Sequence, residues 1–332
     1  MIKIEESSHV PKYKQLVESI VQGIESKELK KNNKIPSINE ISNRYNISRD
    51  TVMMAFSYLQ SRGIILSRPG KGYYIAKANV PQKRKIFLLF DKLTPYKETL
   101  LEAFRNQLKR QGVYEIFFHN FNTKTFETLV RESIGNYTDY VVMPIPSKTI
   151  DSAINLIPKD KLYILDRGRK IYGQSYPSVC QSFRRDIYEA LYSGTDLLKK
   201  YTKIVLFIPE LSHVPTNLQK GFKEFCTDFK IDFLITKKLN EYKITQGEAY
   251  LVFDDNSLVN IVQQANDKKF KLGKDVGIIS YNDTPLKSIV ANGITTISTD
   301  FSAMGKTLAD LIINKKKDHI ENPCSLIRRN SL

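Results

Sequence analysis

One stretch of the chain, ISRDTVMMAFSYLQSRGIILSRPGKGYYI at positions 47–75, constrains the fold more than any other. Its first half carries apolar residues at helical spacing, which predicts a helix with one buried face. These residues are Val52, Ala55, Phe56 and Leu59. Gly63 is expected to end that helix. The apolar runs at 64–66 and 73–75 flank the glycine-rich basic turn RPGKG, and this pattern predicts a β-hairpin.

Two further helices are predicted before this stretch. Apolar residues between Tyr13 and Ser26 recur at helical spacing. Ser37 and Glu40 have the spacing of a capping box, which opens a short second helix. The pair Asn46-Ile47 predicts a tight turn, and Ser48 is placed to cap the third helix. Three helices followed by a hairpin predict a winged helix-turn-helix domain over residues 1–78.

This architecture assigns a role to the polar residues at its ends. The start of the helix that follows the turn enters the DNA major groove, and only its first residues reach base edges. Arg49 is long enough for a bidentate contact to guanine, and Ser48 or Thr51 can bond phosphates or bases. Arg68 and Lys71 in the hairpin turn can approach the adjacent minor groove or phosphates. The alternatives are that Ser48 is only a helix cap and that RPGKG is only a solvated turn.

The distribution of charge favours a polyanionic partner for this part of the chain. The protein has 51 Lys and Arg against 35 Asp and Glu, a net charge of +16. Residues 1–85 hold 16 basic and 7 acidic residues, so 16 − 7 = +9, while the other 247 residues hold 35 and 28, so 35 − 28 = +7. Because the positive charge is concentrated in the first quarter, nucleic acid is the expected partner there.

Residues 12–77 resemble the DNA-binding head of the GntR family of regulators. The resemblance rests on Tyr13, Pro36-Ser37, the run Ser48-Arg49-Asp50-Thr51-Val52, Leu59 to Gly63, and Arg68-Pro69-Gly70-Lys71-Gly72. Asn39 and Met53 stand where the family usually or often has operator-reading arginines, which puts the usual operator sequence in doubt. The resemblance implies double-stranded operator DNA as partner and the following DNA-binding residues: Ser37, Asn39, Ser48, Arg49, Asp50, Thr51, Met53, Arg68, Gly70 and Lys71.

The remainder of the chain predicts a doubly wound α/β domain. A polar, basic segment at 79–85 is expected to be a linker. Apolar runs then alternate with helical patterns, and the runs lie at 86–90, 115–119, 139–143, 161–165, 203–207, 249–253 and 276–280. Short buried strands separated by helices indicate parallel sheets, and two such series over residues 86–332 predict two lobes.

Polar residues follow several of these strands, where ligands bind in open α/β sheets. Asp166 and Arg167 follow the run KLYIL, Asp254 follows AYLVF, and Asn282 follows VGIIS by two residues. A carboxylate beside an arginine, together with an amide, can satisfy the hydroxyls of a small polar ligand, and Tyr96 or Phe183 can stack on a sugar ring. Taken singly, each residue is as readily explained as a helix cap or a solvated loop residue.

Residues 85–332 resemble the effector domain of LacI/GalR regulators, which is similar to periplasmic sugar-binding proteins. The resemblance rests on the segments ILDRG (164–168), LVFDDNSLV (251–259) and GKDVGIISYNDTPLKSIVANGITTISTDFSAMG (273–305). It implies a small effector between the two lobes, most simply a monosaccharide, with a nucleobase or another small metabolite as the alternative. The implied ligand-binding residues are Tyr96, Asp166, Arg167, Phe183, Asp254 and Asn282. A GntR head on a LacI-like body resembles the arrangement of Gram-positive arabinose repressors.

Several other classes of protein are disfavoured. The four histidines form no metalloprotease motif, no GxSxG surrounds a serine, and the three cysteines form no CxxC pair. We therefore expect no enzymatic activity, cofactor, metal site or disulfide framework. The N-terminus lacks a signal-peptide core and no apolar run is long enough to span a bilayer, so a cytoplasmic protein without membrane contact is expected. A homodimer is expected, because paired heads match a pseudo-palindromic operator.

Overall fold

The computed structural model describes residues 2–77, 84–168, 172, 175–210, 213–237 and 242–332. The N-terminal part begins with three helices and three short strands. In chain order these are α1 Lys12–Glu25, β1 Lys34–Ile35, α2 Ile38–Tyr45, α3 Arg49–Ser61, β2 Ile65–Arg68 and β3 Gly72–Ile75. The predicted winged helix-turn-helix is confirmed. Its hairpin gains a third strand, because β1 pairs antiparallel with β3 in the order β1-β3-β2.

The remaining elements alternate between strands and helices, as the sequence predicted. Up to residue 198 they are β4 Arg84–Phe90, α4 Pro95–Leu108, β5 Gly112–Phe118, α5 Thr123–Ser133, β6 Asp139–Val142, α6 Asp151–Ile154, β7 Leu162–Asp166, β8 Ser178–Cys180, α7 Phe183–Ser193 and α8 Thr195–Leu198. After residue 198 they are β9 Lys203–Phe207, α9 Thr216–Asp228, β10 Asp232–Thr236, β11 Glu248–Val252, α10 Asp255–Asp267, β12 Gly277–Tyr281, β13 Thr295–Thr299, α11 Phe301–Ile313, β14 His319–Glu321 and β15 Cys324–Ile327.

The chain divides into two compact units. The first contains residues 1–91 and 110–162, and the second contains residues 92–109 and 163–332. In the first unit, β4 lies between β5 and β6, and both pairings are parallel. Strand β4 begins at Arg84 and so includes the last two residues of the segment 79–85 that was predicted to be a linker. Positions 79–83 of that segment lie outside the described residues.

The second unit contains a six-stranded sheet in the order β10-β9-β11-β12-β13-β15. All of its pairings are parallel except the edge pair of β13 and β15. The strands β7, β8 and β14 of this unit are also paired in parallel. All seven apolar runs expected to be strands form strands, to within a few residues at each end. The apolar-run pattern missed β10, whose apolar run of three residues is short and partly exposed, and it also missed β8, β13, β14 and β15.

The head forms its own hydrophobic core, and this core explains the helix pattern of the sequence. Val52, Ala55, Phe56 and Leu59 are all 1% exposed or less, as the spacing on α3 predicted. They pack with α1, α2 and the hairpin in one apolar cluster. Helix α3 ends where Gly63 was expected to stop it: the Gly63 amide donates to the Gln60 carbonyl at 2.8 Å and the Ile64 amide to the Leu59 carbonyl at 2.9 Å.

Close packing of α4 against α11 provides a test of the fold. A Cβ atom added at Gly305 would lie 2.2 Å from the Leu100 carbonyl oxygen and 2.9 Å from the Phe104 amide nitrogen. Both obstacles are backbone atoms, so they cannot move without separating the helices. Gly305→Ala is therefore expected to lower the free energy of unfolding by about 1–3 kcal/mol. Urea denaturation followed by circular dichroism would measure this, with Thr307→Ala on the same helix as control. Equal stability of the two variants would contradict the packing described.

Candidate functional site

The first candidate site is the exposed start of helix α3. The Ser48 Oγ atom accepts a hydrogen bond from the Thr51 amide at 3.2 Å and lies 2.8 Å from the Thr51 hydroxyl, so Ser48 is the helix cap that the sequence predicted. The side chains of Arg49 and Asp50 are exposed to solvent. Because the first amides of a helix lack intrahelical acceptors, this end favours anions such as phosphate.

The turn before α3 fixes the direction of that helix. Asn46 adopts a left-handed conformation with φ of +48°, and the next residue, Ile47, is buried. The Ile47 amide donates to the Ser42 carbonyl at 3.2 Å, and the Ser42 hydroxyl donates to the Ile47 carbonyl at 2.7 Å. On the other side of the turn, Ser37 and Glu40 form the predicted capping box of α2. Asn39, one position before Glu40, is exposed.

The hairpin turn is a second exposed basic element of the head. Arg68 and Lys71 are exposed, and Gly70 between them has a φ of +71°, a conformation that glycine adopts without strain. The Arg68 guanidinium lies 4.5 Å from the centre of the Tyr74 ring, and the Tyr74 hydroxyl donates to the Lys71 carbonyl at 3.2 Å. These contacts support the turn from within. All ten predicted DNA-binding residues therefore lie on α2, α3, the caps of these helices or the hairpin, and their contacts with DNA stay predictions.

The second candidate site is a polar cluster at strand ends of the second unit. Asp166, the last residue of β7, is 3% exposed and has a φ of +70°. One of its carboxylate oxygens accepts a short hydrogen bond from the Gln181 side-chain amide. The Gln181 carbonyl oxygen accepts a bond of 2.8 Å from the Thr299 hydroxyl. A buried carboxylate is costly unless it is hydrogen bonded, and Gln181 meets this requirement.

Two predicted ligand-binding residues lie beside this carboxylate. The Arg167 Nε atom is 3.5 Å from the second carboxylate oxygen of Asp166, and a terminal nitrogen of Arg167 donates to the His213 carbonyl at 3.2 Å. The guanidinium carbon lies 5.9 Å from the centre of the Phe183 ring. The structure thus brings Asp166, Arg167 and Phe183 together, and their contact with a ligand stays a prediction.

Tyr281 and Asn282, at the end of β12, place two unsatisfied polar atoms in the interior. Asn282 has a φ of +60°, and its Oδ1 atom is buried with no hydrogen-bond partner among the described residues. The Tyr281 hydroxyl is likewise buried and has no hydrogen-bond partner among the described residues. Burial raises the pKa of Tyr281 well above its ordinary value of 10.0, and the nearby Cys324, Asp186, Asp166 and Tyr96 act in the same direction. Tyr281 is therefore a neutral hydroxyl that can donate, and the following residue, Asn282, carries an amide oxygen that can accept.

A buried lysine that sequence reasoning did not identify holds this strand end in place. The Lys287 ammonium donates to the carbonyl oxygens of Tyr281 at 3.1 Å and of Asn282 at 2.7 Å, and it lies 3.6 Å from the Asp255 carboxylate. Burial lowers the pKa of Lys287 from its ordinary value of 10.5, while Asp255 acts in the opposite direction. The only signal in the sequence was a single lysine within the segment PLKSIV.

The other two predicted ligand-binding residues have packing or capping roles. Both carboxylate oxygens of Asp254 are bonded to Ser257, one to its amide at 2.9 Å and the other to its hydroxyl at 2.6 Å. Asp254 is therefore the N-cap of α10, as in the helix-cap alternative to a ligand-binding role. The Tyr96 ring packs on Phe301, with 4.7 Å between the ring centres. Direct contact of Asp254 or Tyr96 with a ligand stays a prediction.

The winged helix-turn-helix head and the two-lobed α/β domain with parallel sheets define a DNA-binding regulator of transcription with a separate effector domain. Residues 12–75 match the family described as bacterial regulatory proteins, gntR family, and residues 198–332 match a periplasmic binding protein-like domain. The chain belongs to the gntR family of bacterial regulatory proteins.

Three transcriptional regulators illustrate the sequence similarity. The arabinose metabolism transcriptional repressor of Geobacillus stearothermophilus is 20% identical, over 97% of this chain and 98% of that protein. The uncharacterized HTH-type transcriptional regulator YhcF of Bacillus subtilis is 32% identical, over 32% of this chain and 82% of that protein. A third regulator, YcxD of Bacillus subtilis, is 36% identical over 72 residues, which are only 16% of its length.

Solved structures show the same fold in the effector domain. The Lac repressor bound to ONPG in its repressed state matches with a TM-score of 0.63 and 17% identity, over 86% of this chain and 90% of that one. A LacI family transcriptional regulator from Enterococcus faecalis V583 with bound ribose matches with a TM-score of 0.59 and 18% identity, over 75% of this chain and 98% of that one. At these identities the likeness concerns the fold.

In the described part of the chain, no helix combines the length and the apolar character needed to cross a bilayer. Within the same residues, histidine, cysteine, aspartate and glutamate side chains form no group of three or more that could hold a metal ion.

The network around Asp166 can be tested by substitution of its central residue. Gln181→Leu keeps the approximate volume but removes the hydrogen bonds of Gln181 to the Asp166 carboxylate and the Thr299 hydroxyl, so that Asp166 keeps only the more distant Arg167 among the described residues. We expect the free energy of unfolding to fall by about 1–3 kcal/mol. Chemical denaturation would measure the change against Gln263→Leu, which replaces an exposed glutamine on α10. If both variants unfold at the same denaturant concentration, the network does not stabilise this strand end.

Proposed function

We propose that this protein is a sequence-specific repressor whose DNA affinity is controlled by a small sugar-like effector. The effector binds at the strand-end cluster formed by Asp166, Arg167, Phe183, Tyr281 and Asn282. The observation that carries this proposal is that consecutive residues at the end of β12 each hold a buried polar atom without a described partner, the Tyr281 hydroxyl and the Asn282 Oδ1 atom. Buried polar groups are normally hydrogen bonded, so a donor and an acceptor left open at one strand end fit a polar ligand.

The chemistry of the cluster suits a polyhydroxylated molecule. Each sugar hydroxyl donates one hydrogen bond and accepts others. The Asp166 carboxylate and the Asn282 amide oxygen supply acceptors, while Tyr281 and Arg167 supply donors. Phe183 adds an aromatic face, on which the apolar face of a sugar ring or a planar base can pack. The names of two similar proteins, an arabinose metabolism repressor and a regulator with bound ribose, support a sugar.

The head supplies the DNA-binding half of the proposal. The exposed start of α3 enters the major groove of the operator, and Arg68 and Lys71 contact the flanking backbone. The protein acts as a homodimer, so that two heads read the two halves of a pseudo-palindromic operator. The effector changes DNA affinity only through its different affinities for two conformations of the effector domain. Effector binding releases the operator.

Substitution of Arg49 tests the assignment of the groove-reading helix. Arg49→Ala removes a side chain that can make two hydrogen bonds to guanine, and we expect a loss of about 1–3 kcal/mol, roughly fivefold to 150-fold in Kd, with relaxed preference at one base pair. Fluorescence anisotropy on an operator selected from random duplex DNA would measure it. Arg62→Ala, at the C-terminal end of α3, removes the same charge away from the expected bases. Equal losses in the two variants would show a purely electrostatic contribution.

Thermal unfolding against a panel of small molecules tests the effector site. The panel contains pentoses, hexoses, deoxyhexoses, sugar phosphates and purines. A ligand at one hundred times its Kd should stabilise the wild type by about 2.7 kcal/mol. Asn282→Gly should abolish this effect and leave the ligand-free protein folded, because glycine accepts the left-handed backbone and the lost Oδ1 atom has no described partner.

The control and the possible outcomes of this experiment are specific. Asn292 is also left-handed, with a φ of +62°, but is exposed, so Asn292→Gly should keep the ligand response. If a purine stabilises the protein and no sugar does, the effector is a nucleobase, for which the Phe183 ring offers a stacking surface. A hit that persists in Asn282→Gly would move the site elsewhere. No response to any compound would reject the effector hypothesis.

A further inference from the structure

Two neighbouring methionines on the outer surface of α3 remain unexplained by the packing of the head. Met53 is 48% exposed and Met54 is 55% exposed, although the residues on both sides, Val52 and Ala55, are completely buried. A single exposed apolar side chain needs no explanation. A flexible apolar side chain on the surface of a strongly basic head, one helical turn after Arg49, is a candidate contact for DNA.

The helical geometry separates the two methionines. Met53 follows Arg49 by four residues, so both side chains lie on the same face of α3. Met54 is rotated by about 100° from Met53 around the helix axis and lies well away from Arg49. If the first residues of α3 reach base edges, Met53 is the next side chain along the same face. Met54 has the same size and chemistry but lies on another face, so it is the matched control for Met53.

The chemistry of the major groove identifies what Met53 can contact. The C5 methyl group of thymine is the apolar feature that a base pair presents in that groove. Methionine is unbranched and polarizable, so it adapts its shape to such a contact. Four residues of helix advance by about 6 Å, and one base step in B-DNA advances by about 3.4 Å. Met53 therefore lies about one helical turn, roughly 6 Å, from Arg49 along α3, close enough to contact a base pair near the one read by Arg49.

We propose that Met53 is a specificity-determining residue that reads the methyl group of a thymine near the base pair read by Arg49. The inference rests on the proposed function of the head as an operator-binding domain. Because Met53 carries no charge, its contact adds preference for a base and leaves the dependence of binding on salt unchanged. A thymine-containing half-site is thus favoured where an arginine at position 53 would favour guanine.

Replacement of thymine by deoxyuridine tests this contact, because the exchange removes only the C5 methyl group. An operator is first selected from random duplex DNA with the full-length protein. Each thymine of the enriched half-site is then replaced in turn, and Kd is measured by fluorescence anisotropy. We expect one position at which the wild type loses roughly fourfold in affinity, the value for burial of one methyl-sized group.

Three variants complete the experiment. Met53→Ala should bind the thymine operator more weakly than the wild type and should no longer distinguish thymine from deoxyuridine at that position. Met53→Leu, which retains an apolar side chain, should keep the distinction. Met54→Ala should behave like the wild type at every position. Both methionines are exposed, so the thermal stability of all three variants should match that of the wild type, and the DNA measurement does not depend on altered folding.

The outcomes separate this inference from the proposed function. If selection enriches no sequence, the proposed operator binding itself fails. If selection enriches a half-site but no thymine is sensitive to methyl removal, or if Met53→Ala keeps the wild-type sensitivity, the role of Met53 is wrong and operator binding stands. Sensitivity that disappears in Met54→Ala and persists in Met53→Ala would also overturn the assignment. Sensitivity that disappears only in Met53→Ala supports it.

Discussion

The buried carboxylate of Asp166 is the constraint on which the effector domain is built. A charged group that is 3% exposed must have hydrogen-bond partners, and here they come from separate parts of the chain. Gln181 follows β8, and Thr299 ends β13, so the path from Asp166 through Gln181 to Thr299 joins three strand ends. The same requirement holds the groups that surround the proposed ligand, because a displaced Gln181 would leave the buried Asp166 carboxylate, within the described part of the chain, with only the more distant Arg167 side chain.

A second buried charge supports the neighbouring strand end by a different arrangement. Lys287 donates to two successive backbone carbonyls and thereby holds the left-handed turn at Asn282. Left-handed conformations are costly for residues other than glycine and persist where the surrounding structure stabilises them. Asp166 and Asn282 both adopt this conformation, at the ends of β7 and β12. Such preorganised side chains are expected where a protein must bind a small polar molecule selectively.

In the head, the helix ends and the turn are determined mainly by local interactions. Ser37 and Ser48 cap the two helices of the turn motif, Asn46 sets the angle between them, and the apolar face of α3 packs into the core. These interactions connect residues close together in sequence, so the pattern of the sequence predicted them correctly. The exposed residues left over at the start of α3 are those that a DNA groove can reach. The concentration of positive charge in residues 1–85 agrees with DNA as the partner of these exposed residues.

The sequence by itself determined the winged head, the strand runs of the α/β domain and the identity of Asp166, Arg167 and Asn282 as strand-end residues. Periodicity, caps and apolar runs are local signals, and they are readable without a structure. Only the tertiary structure decided that both carboxylate oxygens of Asp254 cap α10. It also decided which residues complete the cluster, namely Gln181, Thr299, Tyr281 and Lys287. Those partners lie up to 118 residues apart in the chain. Contacts of that range depend on which strands become neighbours, a choice made by the burial of the whole core and not by any single segment.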